Sequence, residues 1–192
     1  MRDTKQRILD ATSTLFRLQG YPGTAMKQVV EAAGAPFGSV YHFFPGGKEQ
    51  LAAASIERAG RMYEELVLAV FDAEPDAAAG TRAMFEGAGE VLRQSNFADA
   101  CPIATVALEV ASTNPPLRRA THRVFDSWVT TLTGRLADAG AEPATARAAA
   151  IAVIELLEGG FILSRAAQDT AVMEAAGTAA VMVVEAALAN RD

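Results

Sequence analysis

The sequence predicts an all-α protein of about nine helices, divided into a short N-terminal and a longer C-terminal domain. Apolar residues recur three and four positions apart along most of the chain, which is the spacing of an amphipathic helix. No segment shows the polar–apolar alternation that is typical of a strand. Glycine and proline clusters interrupt the helical pattern and mark helix ends. We place the domains at residues 1–47 and 48–192.

The composition indicates a soluble protein without a disulfide. Of its 192 residues, 51% are hydrophobic and 21% charged, which is ordinary for an alanine-rich helical protein. The single cysteine, Cys101, excludes an internal disulfide and fits a reducing cytoplasm. The longest apolar run, Ala148 to Leu157, is too short to span a bilayer, and we recognise no secretory signal. We therefore expect a cytoplasmic protein without a membrane partner.

Charge is distributed unevenly along the chain. The net charge of −6 divides into +3 over residues 1–61 (eight Lys/Arg, five Asp/Glu) and −9 over the remainder (nine Lys/Arg, eighteen Asp/Glu). Positive charge therefore lies in the N-terminal part, where a contact with nucleic-acid phosphates would need it. An excess of +3 is modest, and it predicts a weak salt dependence for such binding.

The first predicted helix, Thr4–Gln19, carries its apolar residues on one stripe and ends at Gly20. Three basic residues, Arg2, Lys5 and Arg7, lie at its N-terminus, Arg2 just before the helix begins. These either approach a phosphate backbone or remain solvated charges on an exposed face, and the sequence leaves both alternatives open.

A tight turn joins the second and third predicted helices. Thr24 is a plausible N-cap for the second helix, and Gly34 ends it because a left-handed conformation costs glycine little. Lys27 lies in the first turn, where the helix dipole disfavours a cation unless a phosphate is near; the alternative is an exposed lysine with little cost. Pro36 suits the opening of the third helix. Two short helices joined by a glycine turn indicate a helix-turn-helix DNA reader.

An ordered series of residues extends this indication over the first quarter of the chain: Ile8, Leu9, Ala11, Leu15, Phe16, Gly20, Tyr21, Ala32, Ala33, Gly34, Gly38, Ser39, Val40, Tyr41, Phe44 and Lys48. This series resembles the DNA-binding end of the TetR family of repressors. The runs FPGGKEQL (44–51) and CPIA (101–104) are similar to the lincomycin-resistance, LmrA/YxaF-type branch of that family.

The resemblance implies that the third helix docks on DNA and that its first turn reaches base edges. Gly38 permits close approach of the backbone, and Ser39 can donate or accept a hydrogen bond. Phe37 stands where relatives often carry a basic residue; it either packs on a thymine methyl or folds back onto the core. The full set of expected DNA contacts is Thr24, Lys27, Pro36, Phe37, Gly38, Ser39, Tyr41, His42 and Lys48.

Tyr41 and His42 have the place of backbone anchors in the family. Lys48 follows two glycines at the start of the fourth helix, which suits a single phosphate. The nucleotide P-loop is excluded here, because position 42 is His and position 49 is Glu.

Six longer helices are predicted beyond the reader. Proline- and glycine-containing breaks separate them at about residues 74–76, 96–102, 113–116 and 140–143. The predicted helices are Lys48–Phe71, Ala77–Ser95, Ile103–Ser112, Leu117–Ala139, Ala144–Ala167 and Thr170–Ala189.

The last two predicted helices carry apolar residues on more than one side, so each must be buried on more than one side. Pairing two copies into a four-helix bundle satisfies this requirement and gives the two-fold symmetry of a palindromic operator. Burial within one subunit is the alternative. The resemblance favours a homodimer.

Aromatic and large apolar residues fall on several helices that the family arranges around one effector cavity. A mostly apolar lining is expected for a small-molecule site, although any one of these residues is more often plain core. The expected lining is Met62, Tyr63, Leu66, Phe85, Val106, Phe125, Trp128 and Phe161.

The sequence offers few residues that could catalyse a reaction. It holds two histidines, one cysteine and no cluster of metal ligands, so we expect no catalytic residues, no metal and no cofactor. We therefore expect a homodimeric repressor that a small apolar or aromatic effector releases from its palindromic operator. A helical scaffold without DNA binding, and an activator of the same family, remain alternatives.

Overall fold

The computed structural model describes residues 3–189, and over this range the chain forms nine helices and no strand, as predicted. The observed helix ends lie within about four residues of the predicted ones. The helices are α1 Thr4–Gly23, α2 Met26–Ala33, α3 Phe37–Phe43, α4 Gly47–Ala73, α5 Ala77–Gln94, α6 Pro102–Val110, α7 Pro115–Asp138, α8 Pro143–Ala167 and α9 Ala171–Ala189.

The turn that leads into α2 differs from the expectation. α1 loses helical dihedrals at Gly20 (φ 72°, ψ 178°), as predicted, but one further turn continues to Gly23. The prediction that Thr24 caps α2 is wrong, because the residue before the helix is Ala25. The Thr24 hydroxyl is buried and donates to the carbonyl of Gly20 at 2.7 Å. The Gln28 side chain takes the capping role and accepts from the Ala25 amide at 2.8 Å.

The turn between α2 and α3 has the predicted geometry. Gly34 is left-handed (φ 57°, ψ 41°), and the amide of the next residue, Ala35, donates to Val30 at 3.0 Å. This is the hydrogen-bond pattern of a glycine C-cap. Pro36 precedes α3 as its N-cap residue, and the helix begins one residue later, at Phe37.

The chain divides into two compact units. The first joins the chain up to Met62 with the segment 100–125, and the second joins residues 63–99 with the chain from Asp126 onward. In the first unit, α1 packs on α2, α3 and α6. Its core is formed by Ile8, Leu9, Val29, Val30, Ala33, Val40, Phe44 and Leu51.

The second unit is built around α5, α8 and α9. At Gly177 of α9 a side chain would meet the Cβ of Phe85 at 2.8 Å, so only glycine lets α5 approach this closely. α9 passes the length and composition test for a membrane span, but Gly177, Ala180 and Val184 are buried in this core. The sequence-based domain boundary between residues 47 and 48 stays a prediction.

We predict that Gly34→Ala lowers the free energy of unfolding by about 1 kcal/mol, because alanine is strained at φ 57°. Urea denaturation followed by circular dichroism measures the change. Gly87→Ala is the matched control. Gly87 is exposed within α5 with no atom within 4 Å of the added Cβ, so alanine should stabilise the protein by up to about 1 kcal/mol. Equal effects of the two substitutions would contradict the prediction.

Candidate nucleic-acid interface

The candidate DNA-reading surface is the outer side of α3. Val40 and the following Phe44 are buried in the core of the first unit, at 1% and 2% exposure. Because a helix turns about 100° per residue, anchoring these residues inward directs the others outward. Phe37, Gly38, Tyr41 and His42 are accordingly exposed, and Ser39 is half-buried.

Phe37 and Tyr41 form a paired aromatic surface on α3. Their exposures are 50% and 49%, their ring centroids lie 5.7 Å apart, and the ring planes make an angle of 49°. The alternative that Phe37 folds back onto the core is therefore wrong. His42 makes an edge contact with Phe43 at 4.9 Å between centroids and remains exposed itself.

The Arg7 guanidinium fixes the α2–α3 turn. Its Nη1 donates to the carbonyls of Ala33 at 3.0 Å and Gly34 at 3.1 Å, and its Nη2 donates to the Thr4 hydroxyl at 3.2 Å. These are the carbonyls that the end of α2 leaves without an intrahelical partner. Arg7 is thus engaged within the fold, whereas Lys5 is exposed with its Nζ 5.9 Å from the Phe44 ring centroid. Arg2 lies outside the described residues.

Two of the expected DNA contacts differ sharply in accessibility. Thr24 is 1% exposed, so its side chain belongs to the turn between α1 and α2, and its placement does not support direct contact with DNA. The Lys27 side chain is 81% exposed, and its Nζ lies 3.8 Å from the Glu31 carboxylate one turn along the helix. An exposed ion pair of this kind contributes little to stability, so Lys27 stays available for a phosphate.

Lys48 lies where α1, α4 and α6 meet. Its Nζ is 4.3 Å from the centroid of the Tyr21 ring, within the range of a cation–π contact. Burial lowers the pKa of Lys48, and the negative charge of Glu109 partly opposes that shift. The pKa of Tyr21 is raised, first by burial and then by Glu49. The half-buried Lys48 is therefore positioned by these protein groups at the first turn of α4.

Glu109 of α6 lies at the same junction, and sequence reasoning did not select it as a site. Its carboxylate accepts from the Tyr21 amide at 2.7 Å, at the point where Gly20 interrupts α1. Eighty-eight residues separate the two partners, so no local pattern points to this contact.

Within the first unit, further polar contacts attach the segment 100–125 to α4. The Asn114 amide donates to the Glu49 carboxylate at 2.8 Å, and the Arg123 guanidinium forms a short ion pair with Glu57. Both contacts join α4 to the chain on either side of the start of α7. Polar groups therefore connect the N-terminal half of α4 to α7 at Arg123 and to the residue before α7 at Asn114.

The expected effector residues are distributed over both packed units. Met62, Val106 and Phe125 belong to the first, and the others belong to the second: Tyr63, Leu66, Phe85, Trp128 and Phe161. Val106 and Phe85 are buried in their respective units, while Met62 and Leu66 are exposed. Their common role in effector binding stays a prediction.

Tyr63 and Trp128 are brought together in the second unit, edge to face with centroids 6.4 Å apart. Next to them in sequence, Glu64 accepts hydrogen bonds from Ser127 at 2.9 Å and from Thr131. Sequence reasoning missed Glu64, because its partners lie on another helix more than sixty residues away.

Residues 3–189 contain no group of three or more His, Cys, Asp or Glu side chains positioned to share an ion.

Comparison with known proteins supports a regulatory role. Residues 8–55 match the family described as bacterial regulatory proteins, tetR family, and residues 77–179 match the C-terminal domain described as transcriptional regulator LmrA/YxaF-like. The chain is 32% identical to the HTH-type transcriptional regulator LmrA of Bacillus subtilis (strain 168), covering 88% of this chain and 89% of the relative.

Two other similarities agree with these matches. The HTH-type transcriptional regulator YxaF of the same strain is 32% identical over 87% of each chain. A TetR transcriptional regulator from Legionella pneumophila has a crystal structure that covers 95% of this chain and 97% of its own, with a TM-score of 0.80. At 21% identity, that structure shows the shared fold alone.

We predict that Arg7→Ala lowers the free energy of unfolding by about 1 kcal/mol, because the carbonyls of Ala33 and Gly34 lose their donor. Urea denaturation measures the loss. Lys27→Ala is the matched control, since it removes an exposed cation from the same unit and should change stability by less than about 0.5 kcal/mol. An Arg7→Ala protein as stable as the control would show that Arg7 does not support the turn.

Proposed function

The chain belongs to the TetR family of bacterial transcriptional regulators, with a C-terminal domain like those of LmrA and YxaF, and we propose that it is an effector-released repressor. In this proposal a homodimer binds a palindromic operator through α3 of each subunit, and a small, mostly apolar compound releases it. Members of this family are regulators rather than enzymes. We place the protein in the cytoplasm, where its operator is.

The observation that carries DNA binding is the outward face of α3. The seven-residue helix α3 is anchored by Val40 and exposes two aromatic rings and a glycine on its outer face. Among the described residues, no other element covers that face. The same helix occupies the recognition position of the helix-turn-helix, whose first turn meets base edges in the major groove.

Exposed apolar side chains on α8 and α9 support the proposed homodimer. Ile151, Ile162 and Leu163 of α8 and Met182 of α9 are all exposed. Burial within one subunit, the alternative weighed from the sequence, does not cover them. Several large apolar side chains on two adjacent helices indicate an interaction surface. We assign this surface to the second subunit.

Release by the effector is proposed to act through α4 and the segment 100–125. α4 is one continuous helix, Gly47–Ala73, and Lys48 stands at its first turn. The polar contacts Glu109–Tyr21 and Asn114–Glu49 attach α6 and the chain after it to the reader. A ligand that displaces these elements alters the separation of the two recognition helices. Half-sites one helical turn apart, roughly 34–36 Å, then no longer match.

We predict that Lys48→Ala weakens binding to every duplex and reduces the slope of log affinity against log salt by about one, because one phosphate contact is lost. Tyr41→Ala should also weaken binding across sequences. Fluorescence anisotropy with DNA from upstream of the protein's own gene, measured at several salt concentrations, tests both.

Two variants serve as comparisons in that assay. Arg82→Ala removes an exposed cation from α5 and should leave both affinity and slope unchanged. Ser39→Ala should change the preference among duplexes more than the salt slope, because a base-edge contact releases no counterion. If Lys48→Ala, Tyr41→Ala and Ser39→Ala all bound like the unmodified protein, the assignment of α3 as reader would be untenable.

We predict that Ile162→Glu or Met182→Glu converts the dimer into monomers. An unpaired charge in an apolar interface costs at least about 3 kcal/mol, which weakens association by roughly two orders of magnitude. Sedimentation equilibrium measures the association constant. Val91→Glu is the control, because Val91 is an exposed apolar residue on α5 rather than on α8 or α9. An unmodified protein that sediments as a monomer at micromolar concentration would refute the dimer.

A further inference from the structure

The reader helix contains no strong cation. No lysine or arginine occurs between Lys27 and Lys48, and the only basic side chain of α3 is His42 in its last turn. The common readout of guanine, a bidentate contact from Arg or Lys to O6 and N7, therefore has no donor on this helix. Base readout by α3 must therefore use groups other than Lys and Arg.

The groups that α3 does offer to a base edge are mainly apolar. Phe37 and Tyr41 are one helical turn apart, and their rings are paired at 5.7 Å with about half of each residue exposed. Pro36, immediately before the helix, is also exposed. No atom lies within 4 Å of the position that a Cβ on Gly38 would occupy, so the surface beside Phe37 is open. This surface, Pro36–Phe37–Tyr41, is the aromatic ridge.

The apolar group that a DNA duplex presents in its major groove is the C5-methyl of thymine. We propose that the aromatic ridge reads thymine methyl groups, with the Phe37 ring in contact and Tyr41 positioning it. The specificity of this regulator then depends on thymine at one or two positions of each half-site rather than on guanine. This inference rests on the proposed DNA-binding function.

Three features favour a base edge over other occupants of the ridge. The ridge is continuous with Gly38 and Ser39 in the first turn of α3, the part of a recognition helix that enters the groove. It carries no charge that would pair with a phosphate. Its two rings also cover only a narrow strip of one short helix, much less than the roughly 800 Å² per partner of a stable protein interface.

The experiment uses the full-length protein and a duplex selected by it from a random-sequence library. Each thymine of one half-site is replaced in turn by deoxyuridine, which removes only the methyl group. At one or two positions the Kd should rise about fourfold, the value expected for one buried methyl group. The methyl contact releases no counterion. The ratio of the Kd values for the uracil and thymine duplexes should therefore stay constant as the salt concentration rises, although the affinity for both duplexes falls.

Protein variants connect the effect to Phe37. Phe37→Ala should weaken binding to the thymine duplex and abolish the discrimination at the same positions, while Phe37→Leu should retain part of it. Leu18→Ala is the matched control, since Leu18 is 51% exposed on α1 in the same unit and has no place in the ridge. Circular dichroism verifies that each variant is folded, as expected for residues outside the buried core.

The outcomes separate the two levels of the proposal. If no duplex is enriched from the library, the proposed function fails and this inference with it. If a duplex is enriched but deoxyuridine is tolerated at every position, the protein binds DNA and the proposal that it recognises thymine methyl groups is wrong. The proposal is also wrong if Phe37→Ala still discriminates thymine from uracil. The proposal is supported if Phe37→Ala loses the discrimination between thymine and uracil and Leu18→Ala keeps it.

Discussion

The one-sided burial of α3 is the constraint on which the proposed function depends. A helix of seven residues is too short to be stable alone, so its orientation is set by Val40 and Phe44 in the core. Gly34 sets the angle at which the chain enters it, and Arg7 supports the preceding turn. Because the inner side of α3 is fixed in this way, its exposed side chains are held in one orientation. A helix that contacts base edges requires such a fixed orientation.

Residues up to Met62 and the segment 100–125 form one packed unit, and this arrangement gives the proposed release by an effector a physical route. α6 packs on α1, and Glu109 accepts from Tyr21 at the interruption of α1. Lys48 lies over the same tyrosine ring. A displacement of α6 therefore acts on the end of α1 and on the first turn of α4 together.

Electrostatics have a modest part in the proposed recognition. The N-terminal 61 residues carry only three positive charges in excess, and Arg7 is engaged in capping α2. With little nonspecific attraction to phosphates, the margin between specific and nonspecific binding must come from groups that touch base edges. The exposed rings of Phe37 and Tyr41 and the open surface at Gly38 are the groups that the fold supplies for this purpose.

The sequence by itself determined the helices and the glycine turn at Gly34, because periodicity and left-handed glycine are local properties of the chain. The role of α3 as the reader helix stays a proposal. The sequence did not determine which polar groups meet. The burial of Thr24, the capping by Arg7 and the contact of Glu109 with Tyr21 depend on partners 4, 26 and 88 residues apart, and two of them join different helices. Likewise, only packing decided that Phe37 faces outward, since an aromatic residue in a first turn suits either side of a short helix.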